Sequence, residues 1–291
     1  MRAALRRYAA LFSRRDLLEA AIVAVAFLLY FLVRGLVADR PEAAYLHSKD
    51  ILELQRSLGF LWEDDMNAWI ADKKFWAQVM NLTYFYLHLP VIIPFGIWMY
   101  YFRRGKYTLT RDSFLTSGAI ALVIYWLYPV APPRELGELA ARFDPNAPAY
   151  VTTWVDTLQK YLGYAYDTQS TRAFVNPYAA MPSLHFGWDL LLGLGIIRAF
   201  RGTRLVWPAV FVGVFLPASQ VLSITMTANH YFLDAVAGGV VAVAGIGLAL
   251  VMEGRVYPWF GERLRRSPIP AIRRLADSKD GVVPKPETTP A

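Results

Sequence analysis

A chain of 291 residues that is 56% hydrophobic, 15% aromatic and only 18% charged is too apolar for soluble domains. Several of its apolar runs approach the roughly 20 residues that cross a bilayer as a helix. The absence of cysteine excludes disulfides and thiolate metal sites. The net charge of +7 is concentrated beside the apolar runs, so it speaks of membrane topology and not of a nucleic-acid partner.

Residues 1–15 carry Arg2, Arg6, Arg7, Arg14 and Arg15 and no acid, and a first span is expected at about 17–37. A basic front and an apolar middle also suit a signal peptide. The apolar run is long for one, and no clean small-x-small cleavage site follows, so an uncleaved span is the favoured reading. Residues 38–74 place Ile51, Leu54, Leu58, Leu61 and Trp62 at helical spacing among Glu53, Arg56, Glu63, Asp64 and Asp65. The pattern predicts amphipathic helices lying on the membrane surface, with an extramembrane loop packed on the bundle as the alternative. A second span at about 76–102 is interrupted by Pro90 and Pro94, and Arg103-Arg104-Gly105-Lys106 reads as a basic turn. A third span at about 112–130 ends in Pro132-Pro133-Arg134.

Residues 135–180 form a polar connection too long for a turn. Spans four to six are expected at about 183–200, 205–226 and 231–253. The last is rich in small residues (Ala235, Gly238, Gly239, Ala242) that let helices approach closely. The tail, 254–291, is basic and then proline-rich, which predicts partial disorder. The fold expected is therefore all-α: a polytopic six-transmembrane-helix bundle over 17–253, between a basic N-terminus at 1–16 and that tail.

Six spans put both termini on one side. Lysine and arginine number 20 in the segments of that side and 9 in those of the other. The positive-inside rule then puts the termini in the cytoplasm. The stretches holding Arg134, Ser183, His185, His230 and Asp234 fall together on the extracytoplasmic face, and unrelated structural polar residues have no reason to gather on one side.

Those residue types suit phosphate chemistry. An arginine offers a planar fork of donors matched to phosphate oxygens, although a lone interfacial Arg134 could simply snorkel. His230 and Asp234 are four apart on one helical face. The carboxylate can take one ring nitrogen and leave the other free to act as nucleophile or base, or the pair can be a satisfied helix start. Ser183 can cap the fourth span or face an anion. His185 could protonate a leaving alkoxide. Two histidines and a carboxylate could also bind a metal, but the nearby arginine favours an anion over a cation. Asp189, four after His185, could tune that imidazole or bond a neighbouring helix. His88 reads first as a satisfied interfacial histidine, and Asn229 and Tyr178 could touch substrate or only satisfy backbone groups.

The motif set resembles the type 2 phosphatidic acid phosphatase superfamily. Pro182-Ser183-Leu184-His185 and His230-Tyr231-Phe232-Leu233-Asp234 are similar to its second and third motifs. The inositol phosphorylceramide synthase-like branch is the closer likeness. It is carried by Pro132-Pro133-Arg134, Ala179-Ala180-Met181-Pro182-Ser183-Leu184-His185, Thr227-Ala228-Asn229-His230-Tyr231 and the pattern around Glu53, Glu63, Tyr84 and His88. The resemblance spans roughly 45–250. It implies a six-helix bundle, a phosphohistidine on His230 oriented by Asp234, His185 as the general acid, and phosphate binding by Arg134 and Ser183. It implies no metal and no cofactor. The lipid phosphatase pattern has a lysine seven residues before the arginine, where this chain has Leu127, and an arginine six before the histidine, where it has Ile224. Arg172 or Lys160 could compensate, and a phosphodiester, with fewer charged oxygens, needs less compensation.

The expected protein is thus an integral membrane enzyme, in the plasma membrane, transferring a phosphoryl or head-group phosphoryl unit such as inositol phosphate. It would take a phospholipid substrate and a lipid or alcohol acceptor, or water. A lipid phosphate phosphatase is the alternative within the same chemistry; a transporter or scaffold is the alternative outside it.

Overall fold

The computed structural model describes residues 14–37, 40–163, 178–270 and 273. The basic residues expected at 1–13, Arg172, and the tail at 274–291 lie outside the described residues. Among those described the regular structure is helical: α1 (Arg14–Val37), α2 (Pro41–Ser57), α3 (Glu63–Ala71), α4 (Lys74–Tyr86), α5 (Leu89–Phe102) and α6 (Arg104–Leu127). A 3-10 turn (Pro133–Glu135) leads to the short helices α7 (Leu136–Phe143), α8 (Ala149–Thr152) and α9 (Thr157–Leu162). Then come α10 (Leu184–Phe200), α11 (Val206–Met226) and α12 (Phe232–Val251), followed by a π turn (Met252–Val256) and α13 (Tyr257–Arg265).

Three stretches are long and apolar enough to cross a membrane: Lys74–Phe102, Val206–Met226 and Phe232–Arg265. Leu28, Phe211 and Val240 point outward and are exposed. In water such patches drive association; against lipid they are at home.

The bundle is drawn together by glycine. A Cβ on Gly238 of α12 would lie 2.1 Å from the Ser183 carbonyl, and one on Gly193 of α10 would lie 2.0 Å from the Gly213 carbonyl of α11. No side chain fits at either crossing, so α10 contacts α12 and α11 backbone to backbone. Because Ser183 precedes α10 and Asp234 begins α12, the Gly238 contact also sets the spacing of the two segments that carry His185 and His230.

Three details differ from the expectation. The break in the second apolar stretch falls at Leu87–His88, not at the prolines. Pro90 sits in the first turn of α5, where a missing N–H costs nothing, and Pro94 lies inside the helix. Arg103-Arg104-Gly105-Lys106 is not a turn, since α6 starts at Arg104. Arg103 Nε donates to Ala199 O (3.1 Å) and Lys106 Nζ to Arg198 O (2.7 Å), satisfying the last carbonyls of α10. On α2 the buried face is Ala44, Tyr45, Ser48, Ile51, Leu52 and Gln55, whereas Leu54 and Leu58 point outward. With α7, α8 and the 128–131 loop, this face forms a compact apolar cluster that closes over Ala228 and Tyr231. Residues 40–71 are thus packed as a cap on one end of the bundle.

Candidate active site

Under that cap three loops are knitted by backbone hydrogen bonds. Val130 and Ala179 form a parallel bridge: Val130 N–H donates to Tyr178 O at 2.9 Å, and Ala180 N–H to Val130 O at 3.1 Å. Arg134 N–H donates to Ala228 O at 3.0 Å. Ala131 O accepts from Ser48 Oγ and Tyr231 OH, both at 3.0 Å. Arg134, Ser183, His185, His230 and Asp234 all fall within or beside this knot.

The third loop is held at both ends. Asn229 and His230 donate their N–H groups to Ile224 O at 3.0 and 3.1 Å. That return is made by Ala228 at φ +56°, a left-handed conformation costing an alanine about 1–2 kcal/mol. After the loop, the first turn of α12 presents N–H groups that no helix bond can satisfy. Tyr231 N–H donates to Asp234 Oδ2 (3.0 Å), Phe232 N–H to Glu63 Oε1 (3.2 Å) and Leu233 N–H to Gln55 Oε1 (3.1 Å). Gln55 Nε2 in turn donates to Glu63 Oε1. The helix that follows His230 is thus capped by side chains of α2 and α3.

His230 Nδ1 lies 2.8 Å from the Ala180 carbonyl and 3.3 Å from Asp234 Oδ2. A carbonyl only accepts, so Nδ1 carries the hydrogen, and in the neutral imidazole Nε2 then keeps its lone pair. Asp234 is therefore the second of two acceptors, and the backbone contact is the closer. Nε2 faces His185 Nδ1 at 3.4 Å. Tyr84 stacks on the His185 ring with centroids 4.1 Å apart. Arg134 donates through Nη1 to Asn229 Oδ1, and Asn229 Nδ2 to Thr227 Oγ1 at 2.6 Å. Its Nε is 3.8 Å from Asp156.

His230, His185, Arg134 and Asn229 line one end of a cavity of about 1210 Å³. From there the cavity continues as an apolar slot between α1, α5 and α6, past Leu122, Ile93 and Gly96, to Asp16, Glu19 and Arg111 at its far end.

The sequence profile of the PAP2 superfamily matches residues 49–248. The chain belongs to the PAP2 superfamily. Comparison with curated proteins and with solved structures gives no match. PAP2 membership points to phosphatase or phosphotransferase activity on lipid phosphates. It also accounts for an enzyme-like pocket at the end of an apolar bundle.

For Ser183 and Asp189 of this PAP2 chain the structure shows the structural one of the two roles open to them. Ser183 is fully buried and its Oγ accepts from Phe186 N–H at 3.4 Å, the capping arrangement. Asp189 turns to the break between α4 and α5: its Oδ1 lies 2.8 Å from His88 Nδ1. Ile224 is completely buried against Tyr84 and Ala235, and Leu127 is exposed, so neither position adds a polar group to the cavity. Lys160 is engaged by Asp72 (3.1 Å) and the Ala71 carbonyl (2.8 Å). Tyr178 is half-buried, and burial raises its hydroxyl above the ordinary tyrosine range. Sequence reasoning missed Gln55 as a cap and Ala180 as the main partner of His230. The signal for Gln55 was its place one turn after Ile51 and Leu52 on α2; a backbone carbonyl leaves none.

Burial pushes the Glu63 carboxyl up from its ordinary range, against the Gln55 and Phe232 hydrogen bonds that lower it. A raised carboxyl contributes stability that is complete below the ordinary glutamate range and is lost as pH rises through the raised value. Glu63→Gln keeps an acceptor for Phe232 N–H and removes the charge. Its thermal midpoint is expected to fall less than that of the wild type between about pH 4 and about pH 8. Glu63→Leu, which strands Phe232 N–H and Gln55 Nε2, is expected to cost about 2–3 kcal/mol in denaturant titration. Equal pH profiles for wild type and Glu63→Gln would contradict the assignment.

Proposed function

We propose that this protein transfers a phosphoryl or substituted phosphoryl group from a phospholipid through a phosphohistidine on His230. The observation that carries this reading is the His230 imidazole itself. Its Nδ1 is committed to Ala180 O, and its Nε2 faces His185 Nδ1 at 3.4 Å, at the mouth of a slot that suits a lipid tail.

The His230 Nε2 lone pair attacks phosphorus. Ala180 O and Asp234 stabilise the charge that develops on the ring. Arg134, held by Asn229, binds the non-bridging oxygens. His185 gives its proton to the departing alkoxide. An acceptor then takes the group from His230: an alcohol in a transferase, water in a phosphatase. Ser183 serves this reading by setting the start of α10, whose N-terminal dipole favours an anion beside His185.

The transferase branch is favoured by the basic residues the cavity offers. Among the described residues, Arg134 stands at the histidine end, and the other lining cation, Arg111, is at the far end, paired to Glu19 and Asp112. One arginine suits a phosphodiester, such as a phosphoinositol head group, better than a dianionic monoester. Supplied with phosphatidylinositol labelled in its phosphate, and with ceramide or diacylglycerol, the protein is expected to yield a new labelled lipid. His230→Ala should lower the rate at least 10³-fold with the fold unchanged. Labelled inorganic phosphate without a new lipid would establish the phosphatase alternative. Unchanged turnover in His230→Ala would remove the covalent mechanism and leave a transporter or scaffold.

The proposed site faces the extracytoplasmic side of the plasma membrane, in a bundle of six spans with both termini cytoplasmic. Its support is the lysine and arginine asymmetry. Because the chain has no cysteine, single substitutions report sidedness cleanly. In intact cells a membrane-impermeant maleimide should label Asn146→Cys and spare Glu262→Cys, and the reverse pattern would invert the topology.

A further inference from the structure

His88 and Asp189 form a second imidazole–carboxylate pair that the two-histidine mechanism leaves unused. His88 Nδ1 lies 2.8 Å from Asp189 Oδ1, and both side chains are buried. Within an apolar bundle such a pair is costly unless it serves something. Three of the chain's four histidines line the same cavity: His88, His185 and His230. The His88 ring lies 4.5 Å from that of His185, tilted by 35°. His88 also takes no part in a regular helix, since it occupies the break between α4 and α5. The arrangement around it parallels that of His230: an acceptor holds Nδ1, leaving Nε2 as the ring nitrogen available to the cavity.

Double displacement at one phosphorus makes a geometric demand. The leaving alcohol departs opposite His230 Nε2, and the entering alcohol must approach along the same line. Acid and base are therefore needed on the same side, next to each other. The His185 and His88 rings are adjacent, with centroids 4.5 Å apart.

We propose that His88 is the general base for the acceptor, with Asp189 as its positioning residue. The assignment rests on the phosphohistidine reading above. In the second half-reaction the acceptor oxygen attacks phosphorus and a P–O bond forms. The N–P bond to His230 breaks, and its electron pair returns to Nε2. The hydroxyl proton goes to His88 Nε2, and Asp189 stabilises the imidazolium. That proton later passes through solvent in the cavity to His185, which had given its own to the departing alcohol, and the enzyme is reset.

The purely structural role, in which the pair only ties α5 to α10, is separable. His88→Asn retains a donor at the Nδ1 position for Asp189 and removes Nε2. With phosphatidylinositol labelled in its phosphate, His88→Asn is expected to keep the thermal midpoint and to form acid-labile phosphoprotein at the wild-type rate. Its turnover should fall by about 10²–10⁴-fold, so that phosphoprotein accumulates. Asp189→Asn, which can still accept from Nδ1, should give a smaller loss of the same kind. If His88→Asn loses stability, the same test is run on His88→Gly, whose turnover should be restored by added imidazole. Wild-type turnover in His88→Asn, equal losses in phosphoprotein formation and turnover, or no imidazole rescue of His88→Gly would overturn the assignment of His88. Absence of His230-dependent phosphoprotein in the wild type would instead overturn the parent mechanism.

Discussion

His230 Nδ1 and the Ala180 carbonyl are 2.8 Å apart, and much of the cap serves to keep them so. The contact joins two loops that are remote in the chain. Each loop is fixed by its own anchors: Val130 beneath Ala180, and the Ile224 carbonyl beneath His230. Move either by an ångström and the imidazole loses its tautomer along with its direction. A carbonyl is a good partner here because it cannot ionise. It holds Nδ1–H at any pH, whereas a carboxylate can be protonated. Asp234 then adds charge without having to provide geometry, and it shares its Oδ2 with the N–H of Tyr231.

The rest of the architecture follows from keeping polar groups satisfied in an apolar setting. A helix beginning at the end of a bundle has N–H groups that neither lipid nor helix can accept. Gln55 and Glu63 take two of them, which makes residues 40–71 part of the site although none of them lines its mouth. Glycine crossings at Gly238 and Gly193 bring α12 and α11 onto α10 without intervening side chains. The result is a close-packed frame for the histidines and an apolar slot beside α1, α5 and α6.

The all-helical class, and three of the six expected spans as long apolar stretches, could be read from the sequence because both depend on runs and periodicity. The candidate site could be read as residue types in order: Arg134, then His185, then His230 and Asp234. Partnerships were harder. Asp189 is four residues from His185 on one helix, which invites pairing, yet the space beside it is filled by His88 from the break between α4 and α5. Gln55 and Glu63 sit among charged neighbours and read as a solvent face, although they are turned inward to a helix end. Leu54 and Leu58 belong to the apolar stripe expected there and point outward, whereas Ile51 of the same stripe is buried. Periodicity alone does not tell a lipid-facing stripe from a buried one, since both are apolar. Ala180 acts through its backbone, and no side-chain pattern announces that.

The most direct measurement is the position of phosphorus on the trapped intermediate. Labelled phosphoprotein, quenched in alkali and digested, can be resolved into its two phosphohistidine isomers and assigned to a residue by mass spectrometry. A nucleophile held through Nδ1 by Ala180 predicts phosphate on Nε2 of His230. Phosphate on Nδ1 of His230, or on His185, would contradict it.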